Sequence, residues 1–234
     1  QSRGQAGDIR IEAPGGNVNV QLLRADSVNG RSGNVLIDAG QDIRTWNVEA
    51  DTKNSAQNGG SVTFRSVTGD IRSDRISTQS ARGQRGGDID LATQQDNINV
   101  GPLDTTGNND SAGNMRLATQ IGNITVRDTI RGVGYRGNGG NLTLETQQGD
   151  IRVNEDIVLL STGNRAGNGG NIRIRTDQGQ IALAKSVNTI SQSGGNGGHI
   201  EIQAGDRLNV PDAGNITMGD VVSQANRRGR GGDI

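Results

Sequence analysis

Apolar residues recur in pairs at i and i+2 along the chain, and each pair follows a glycine and a small polar residue. Gly7-Asp8-Ile9-Arg10-Ile11 is the first such unit, and Gly87-Asp88-Ile89-Asp90-Leu91 is the fourth. The glycines lie at positions 7, 33, 60, 87, 113, 140, 170, 198 and 232, so the successive spacings are 26, 27, 27, 26, 27, 30, 28 and 34 residues. Alternation with period two predicts β-strands, and a repeat of this length predicts a solenoid.

Each unit contains two further apolar segments. The second candidate strands begin at Val18, Ile43, Ile71, Ile98, Ile124, Ile151, Ile181 and Leu208. The third apolar positions are Val48, Ile76, Leu103, Ile130, Ile157, Val187 and Val221. Strands this short are not stable alone. In a stack of coils, each strand pairs with its copies in the adjacent coils at a distance of ~4.8 Å. The pattern therefore predicts an all-β, right-handed parallel β-helix with three short strands per coil of about 27 residues, with inward-facing residues such as Ile89, Ile124 and Ile151.

The glycines and the polar residues after them are predicted to form the corners. Gly59-Gly60 and Gly139-Gly140 immediately precede a first strand, and we expect such glycines to adopt φ > 0. A phosphate-binding loop would lead into a helix instead. The Asn and Asp residues of this column are expected to stack and bind turn amides. The alternative is a column of calcium sites. Calcium-binding β-rolls have a nine-residue repeat that contains Asp, whereas this repeat is three times longer and its column is mostly neutral Asn.

One stretch, Ala204 to Asp220, departs from the repeat. Ala213-Gly214-Asn215-Ile216-Thr217-Met218 within it is predicted to be an inserted extra strand or loop. Such an insertion is either a tolerated bulge or the place where a specific ligand binds. Residues 1–234 otherwise form a single repeat array, which we expect to be a segment of a longer repeat protein.

Composition excludes several classes of protein. The 38 glycines and 1% aromatic residues would suit a disordered linker, but disorder would not keep apolar residues in phase. Charges are balanced, with 24 basic and 25 acidic residues, and Arg227, Arg228 and Arg230 form the only basic cluster. We therefore expect no nucleic-acid partner. Cysteine is absent, which is compatible with export, and no apolar run is long enough for membrane insertion.

Units such as Gly167-Asn168-Gly169-Gly170-Asn171-Ile172-Arg173-Ile174, followed by Gly179-Gln180-Ile181-Ala182-Leu183, resemble the repeats of filamentous-haemagglutinin-like large exoproteins, especially their cyanobacterial members. The resemblance covers essentially the whole chain. It implies a right-handed parallel β-helix, secretion through an outer-membrane partner, and a role in adhesion or matrix at the cell surface. No segment matches the family's N-terminal secretion domain.

Particular residues bear on three other functions, namely catalysis, sugar binding and ice binding. His199 and the column of Asp42, Asp70, Asn97 and Asp150 are interpreted as corner residues and not as catalytic groups. Sugar-binding surfaces usually present several exposed aromatic side chains, and the only candidates here are Trp46 and Tyr135. An ice-binding face would need outward threonines, for which the candidates are Thr93, Thr119, Thr146 and Thr176.

We therefore expect a structural or adhesive segment of a secreted bacterial surface or extracellular filament, with no catalytic, cofactor-binding or metal-binding residues. The alternatives are a carbohydrate-binding or carbohydrate-active β-helix protein and, below it, an ice-binding solenoid. No cap is recognisable at Gly7-Asp8-Ile9 or at Gly232-Asp233-Ile234. Expected partners are neighbouring coils or further copies through end-to-end β-pairing, together with surface glycans or a cell-surface receptor.

Overall fold

The computed structural model describes residues 4–82, 84–163, 166–192, 194–205, 214–226 and 229–234. The chain is an all-β parallel solenoid with coils of about 27 residues, and the described ranges contain no helix. Every strand pair is parallel because each strand lies beside its own copy from the adjacent coil. The predicted fold class is therefore confirmed as a parallel β-solenoid, and its right-handedness stays a prediction.

The bounds of the strands follow the repeat of the sequence. In chain order they are β1 (Ile9–Ala13), β2 (Val18–Arg24), β3 (Val35–Ala39), β4 (Ile43–Glu49), β5 (Val62–Thr68), β6 (Ile71–Ser77), β7 (Ile89–Gln95), β8 (Ile98–Val100), β9 (Leu103–Asp104), β10 (Met115–Ile121), β11 (Ile124–Val126), β12 (Ile130–Gly134), β13 (Leu142–Gln148), β14 (Ile151–Val153), β15 (Ile157–Ser161), β16 (Ile172–Gln178), β17 (Ile181–Leu183), β18 (Val187–Ser191), β19 (Ile200–Ala204), β20 (Ile216–Met218) and β21 (Val221–Ala225).

The strands form two sheets. The first strands of successive coils make an 8-stranded sheet in the order β1-β3-β5-β7-β10-β13-β16-β19, which corresponds to about seven turns. The second and third strands make a 13-stranded sheet. In each of the first three coils, the second and third strands are continuous and form a single strand of 7 residues. These merged strands are β2, β4 and β6.

The core is a set of apolar columns inside the solenoid. Ile89 pairs in register with Val62 on one side and Met115 on the other, and all three side chains are buried. Ile124 and Ile151 are 0% exposed, as the sequence predicts for inward positions. Each buried side chain of this size contributes about 1.5–3 kcal/mol. Because the columns are continuous, the stability of each coil depends on the coils beside it.

The corner glycines have a different role from the predicted one. None of the glycines in the pairs before the first strands has a positive φ. Instead, a Cβ on Gly60 would lie 1.9 Å from the carbonyl oxygen of Gly33, and one on Gly140 would lie 2.0 Å from that of Gly113. The prediction of φ > 0 is therefore wrong. Glycine is required because parallel stacking brings successive corner backbones into contact.

The last coil also differs from the prediction. β20 pairs in register with β17, so that Ile216 lies beside Ile181 and Met218 beside Leu183. Residues 216–218 are thus the second strand of that coil, and the prediction that they form an insertion is wrong. The alternative second strand at Leu208 lies outside the described residues. β21 pairs with β18 through Val221 and Val187, as predicted for the third strand.

Candidate functional site

The outer face of the 8-stranded sheet has a groove of about 910 Å³ that runs along the solenoid axis. If the first inward residue of each first strand is position one, the outward residues at positions four and six line this groove. Position four contributes Glu12, Asp38, Arg65, Ala92, Ala118, Glu145 and Arg175, and position six contributes Pro14, Val67, Gln94, Gln120, Gln147 and Asp177. We call this surface the sheet groove.

The threonines at position five close the base of the sheet groove. Thr93, Thr119 and Thr146 are each no more than 5% exposed. Their hydroxyls donate to the carbonyl oxygens of Gly69, Asp96 and Gly122 in the preceding coil at 3.1, 3.0 and 2.9 Å, respectively. Thr176 is also fully buried. The four threonines proposed for an ice-binding face therefore point into the solenoid, because position five is an inward position.

Charges in the sheet groove are largely paired at its edges. Arg175 Nε lies 3.0 Å from Asp177 Oδ1, and Arg173 Nε lies 3.4 Å from Glu145 Oε1. Arg116 lies 3.2 Å from Asp90. Between Arg65 and Glu145, positions four and six contain only alanine and glutamine. At these two positions the groove is therefore uncharged on β7 and β10, and Arg116, which lines it from position two of β10, is paired with Asp90.

A second groove, of about 620 Å³, lies over the corner before the first strands. Two rows of polar side chains flank the paired glycines there, and we call this surface the corner groove. Its first row includes Asn114, Asn141 and Asn171, and its second row includes Asn138, Asn168 and Asn196. The paired glycines between the rows are themselves buried.

Both rows of the corner groove are hydrogen-bonded along the axis. Asn141 Oδ1 accepts the N–H of Asn171 at 2.9 Å, and Asn171 Oδ1 accepts the N–H of His199 at 2.9 Å. In the second row, Asn168 Oδ1 accepts the N–H of Asn196 at 2.9 Å. Stacking of the Asn and Asp side chains on turn amides is thereby confirmed. His199 occupies the same column, so its backbone serves as a corner residue as predicted.

The Asp and Asn column at the start of the second strands has the same geometry. Asp42 Oδ1 accepts the N–H of Asp70 at 3.0 Å, and Asp70 Oδ1 accepts the N–H of Asn97 at 3.0 Å. Asn123 Oδ1 accepts the N–H of Asp150 at 2.7 Å. Burial alone would raise the pKa of Asp70, but the hydrogen bonds from Asn97 and the neighbouring Arg72 lower the pKa below its ordinary value. These carboxylates cap turns, as the sequence predicts.

One carboxylate is held in a more enclosed place. Asp51 Oδ1 accepts the hydroxyl of Ser77 and the N–H of Gln79, both at 2.7 Å. Burial raises the pKa of Asp51 above its ordinary value, against the opposing effect of these hydrogen bonds. Its contacts join adjacent coils, which gives this side chain a structural role.

The aromatic side chains do not form a platform. Trp46 is 58% exposed and lies in β4, whereas Tyr135 is 39% exposed and follows β12. Phe64 is 0% exposed and belongs to the core, as predicted. Exposed aromatic rings are thus single and lie on different coils.

Metal-binding clusters and membrane-spanning helices are both absent from the described ranges. No group of three or more His, Asp or Glu side chains there could hold a metal ion. None of the described segments is a helix long and apolar enough to cross a membrane. Of the basic cluster near the end, Arg230 lies beside the corner groove, and Arg227 and Arg228 lie outside the described residues.

No family model, curated protein or solved structure matches this chain. The findings therefore establish a β-solenoid of about seven turns and identify no family. The resemblance to filamentous-haemagglutinin-like exoproteins stays a prediction.

The sheet groove is the feature that sequence reasoning missed. A signal was present, because Ala92 and Ala118 recur at one outward position and Gln94, Gln120 and Gln147 recur at another. The concave shape of the surface between these columns depends on how the strands bend, and a repeat alignment does not contain that information.

Proposed function

We propose that this chain is a structural or adhesive stretch of a secreted bacterial surface or extracellular filament, without catalytic activity. The observation that supports this proposal is the axial continuity of the solenoid. Its strands pair from coil to coil without interruption in two sheets. Polar ladders at the corners reinforce the same direction, as in the bond from the N–H of His199 to Asn171. Such a structure transmits load along its axis through many parallel hydrogen bonds.

Association through the outermost coils is part of this proposal. Ile9 and Ile11 in β1 and Ile202 in β19 are only partly buried, although their columns are fully buried further inside. β1 and β19 each have a strand partner on one side. Unpaired strand edges beside apolar side chains favour further β-pairing. We propose that additional coils, or the ends of further copies, cover these surfaces.

Electron microscopy and sedimentation of the chain would test the proposal. We expect rods that lengthen as the concentration rises. Ile216→Lys with Met218→Lys, at the partly exposed end strand, should keep the rods short, whereas Thr217→Lys on the same strand is the matched control. Rods that keep the length of a single chain at every concentration would contradict association through the ends.

The cellular location is tested separately. We propose that the chain is exported and associated with the outer membrane or released from it. Protease treatment of intact cells should then remove the chain while cytoplasmic proteins survive. Protection of the chain until the cells are broken would contradict export.

The sheet groove favours a second candidate function, which is binding of carbohydrate. It extends along the axis over several coils, and positions four and six of its central strands, β7 and β10, carry no charge. Adhesion and carbohydrate binding are compatible, since a filament that binds a surface glycan is an adhesin.

A further inference from the structure

The central part of the sheet groove presents three side-chain amides in a row. Gln94, Gln120 and Gln147 occupy the same position on β7, β10 and β13 and are exposed. In the part of the chain that the structure describes, their side chains have no hydrogen-bond partner. The amides in the corner rows, such as that of Asn141, instead use their oxygen to bind the next coil. The three glutamines are therefore free to bind a ligand through both the oxygen and the NH₂ group.

The surface beside the glutamines is apolar and smooth. Ala92 and Ala118 pair in register across β7 and β10, and their methyl groups line the groove. Thr93 and Thr119, which lie between the two columns, turn their hydroxyls inward to backbone carbonyl groups. The ligand thus meets methyl groups on one side and amides on the other.

The charge around this segment disfavours a polyanion. Glu145 is already paired with Arg173, and Arg175 with Asp177. Arg65 borders the segment at one end only. Between Arg65 and Glu145 the charged lining residue among those described is Arg116, which is paired with Asp90, so recognition there relies mainly on neutral hydrogen bonds.

The repeat distance selects the kind of polymer. Successive glutamines are one coil apart, about 4.8 Å, the distance between paired strands. A peptide strand along the groove would present same-side groups about 6.7 Å apart, since each residue advances 3.2–3.4 Å and sides alternate. That spacing drifts out of register within two coils. In an extended β-1,4-linked sugar chain, each ring advances by nearly one coil spacing. Successive rings turn over, but every ring carries hydroxyls on both edges, so a hydroxyl still faces each glutamine.

We infer that the sheet groove binds a linear, neutral, β-1,4-linked polysaccharide with one sugar ring per coil. Its ring hydroxyls pair with the amides of Gln94, Gln120 and Gln147, and its C–H faces lie on Ala92 and Ala118. This inference deepens the second candidate function above. Because the groove lacks an aromatic ring, we expect weak binding of short oligosaccharides, with dissociation constants of about 1 mM. The affinity should rise with the length of the oligosaccharide until each of the three glutamines contacts one sugar ring.

The test is a titration of the chain with cello- and manno-oligosaccharides from the disaccharide upward, followed by NMR of the glutamine side-chain NH₂ groups. We expect length-dependent shifts of Gln94, Gln120 and Gln147. Gln94→Ala with Gln120→Ala should weaken binding about tenfold or more, because each lost hydrogen bond contributes about 0.5–1.5 kcal/mol. Gln95→Ala with Gln148→Ala, on β7 and β13 but outside the groove, should leave binding unchanged.

Three results would overturn the inference: no shifts with either oligosaccharide series, equal weakening in the control variant, or preferential binding of polygalacturonate or a peptide. The failure of this inference is distinguishable from failure of the filament proposal. Rod formation is read by microscopy in the absence of sugar and does not depend on the glutamines.

Discussion

The middle coils and the last coil place the same kinds of residue at the same positions, yet bury them differently. Ile174 is 0% exposed, whereas Ile202, its neighbour in the same column, is only partly buried. Ile181 is 1% exposed, whereas Ile216 beside it is 39% exposed. The side chains and the register are alike, so the difference comes from whether a coil lies on both sides. Burial in this molecule is a property of the stack and not of a single coil.

The largest expected effect comes from truncating the core in the two regions. Ile174→Ala should destabilise the chain by about 2–5 kcal/mol, the usual cost of removing a buried isoleucine. Ile202→Ala should cost about 1–2 kcal/mol, because less apolar area is lost from a partly exposed side chain. Chemical denaturation of the two variants measures both values. Equal losses of stability in the two variants would contradict the proposed difference between the middle coils and the last coil.

A smaller effect is expected at the corner glycines. Gly140→Ala places a methyl group against the carbonyl of Gly113, and we expect a loss of about 1–3 kcal/mol. Gly7 occupies the same column in the first coil, and a Cβ there has nothing within 4 Å. Gly7→Ala should therefore change the stability by no more than about 0.5 kcal/mol. Thermal unfolding distinguishes them, and similar losses at both glycines would mean that stacking is not the cause.

The corner ladders should contribute less per residue. Asn141→Ala removes the acceptor for the N–H of Asn171, at a cost of about 1 kcal/mol. Asn141→Asp keeps the acceptor oxygen and should restore most of that stability. If the Asp variant is as unstable as the Ala variant in denaturant titrations, the hydrogen bond is not what stabilises the corner.

The smallest expected effect concerns Asp51, which lies among stacked coils. Burial raises its pKa, so the folded state binds its proton more tightly than the unfolded state. Stability should therefore fall as the pH rises from the ordinary value of 3.8 through the raised pKa. Asp51→Asn keeps the acceptor oxygen without the charge. The variant should therefore lose this pH dependence of stability and be modestly more stable than the wild type at neutral pH. Unfolding measured against pH checks the sign, and greater stability of the wild type relative to the variant at neutral pH would contradict it.

The repeat predicted the fold well because one spacing fixes both the strands and their partners. Once Ile89 and Leu91 are placed inward, the same phase places Val62 and Met115 beside Ile89. The sequence pattern placed the last second strand at Leu208 and not at Ile216, although both segments alternate apolar and polar residues. In the structure Ile216 occupies that position, because β20 pairs with β17. Period and spacing specify neighbours, but not which of two similar segments meets them.

The candidate site was much less predictable. The threonines at position five look exposed in the sequence, because they follow the two apolar inward residues and precede a polar segment. In the structure Thr119 is 5% exposed, because the strand continues inward for a third position before it turns. The sheet groove depends on that turn. Likewise, the need for glycine at Gly140 arises from the carbonyl of Gly113, which lies 27 residues earlier in the chain.

Hydrogen exchange measured by mass spectrometry tests the central claim most directly, namely that the fold is held by bonds between successive coils. The N–H groups that donate to a coil on either side, such as those of Ile124 and Ile151, should be strongly protected in the middle of the chain. Protection should fall progressively through β16 and β19 toward the last coil, where neighbours are fewer. Equal protection in every coil, or strong protection confined to the two end coils, would contradict the account.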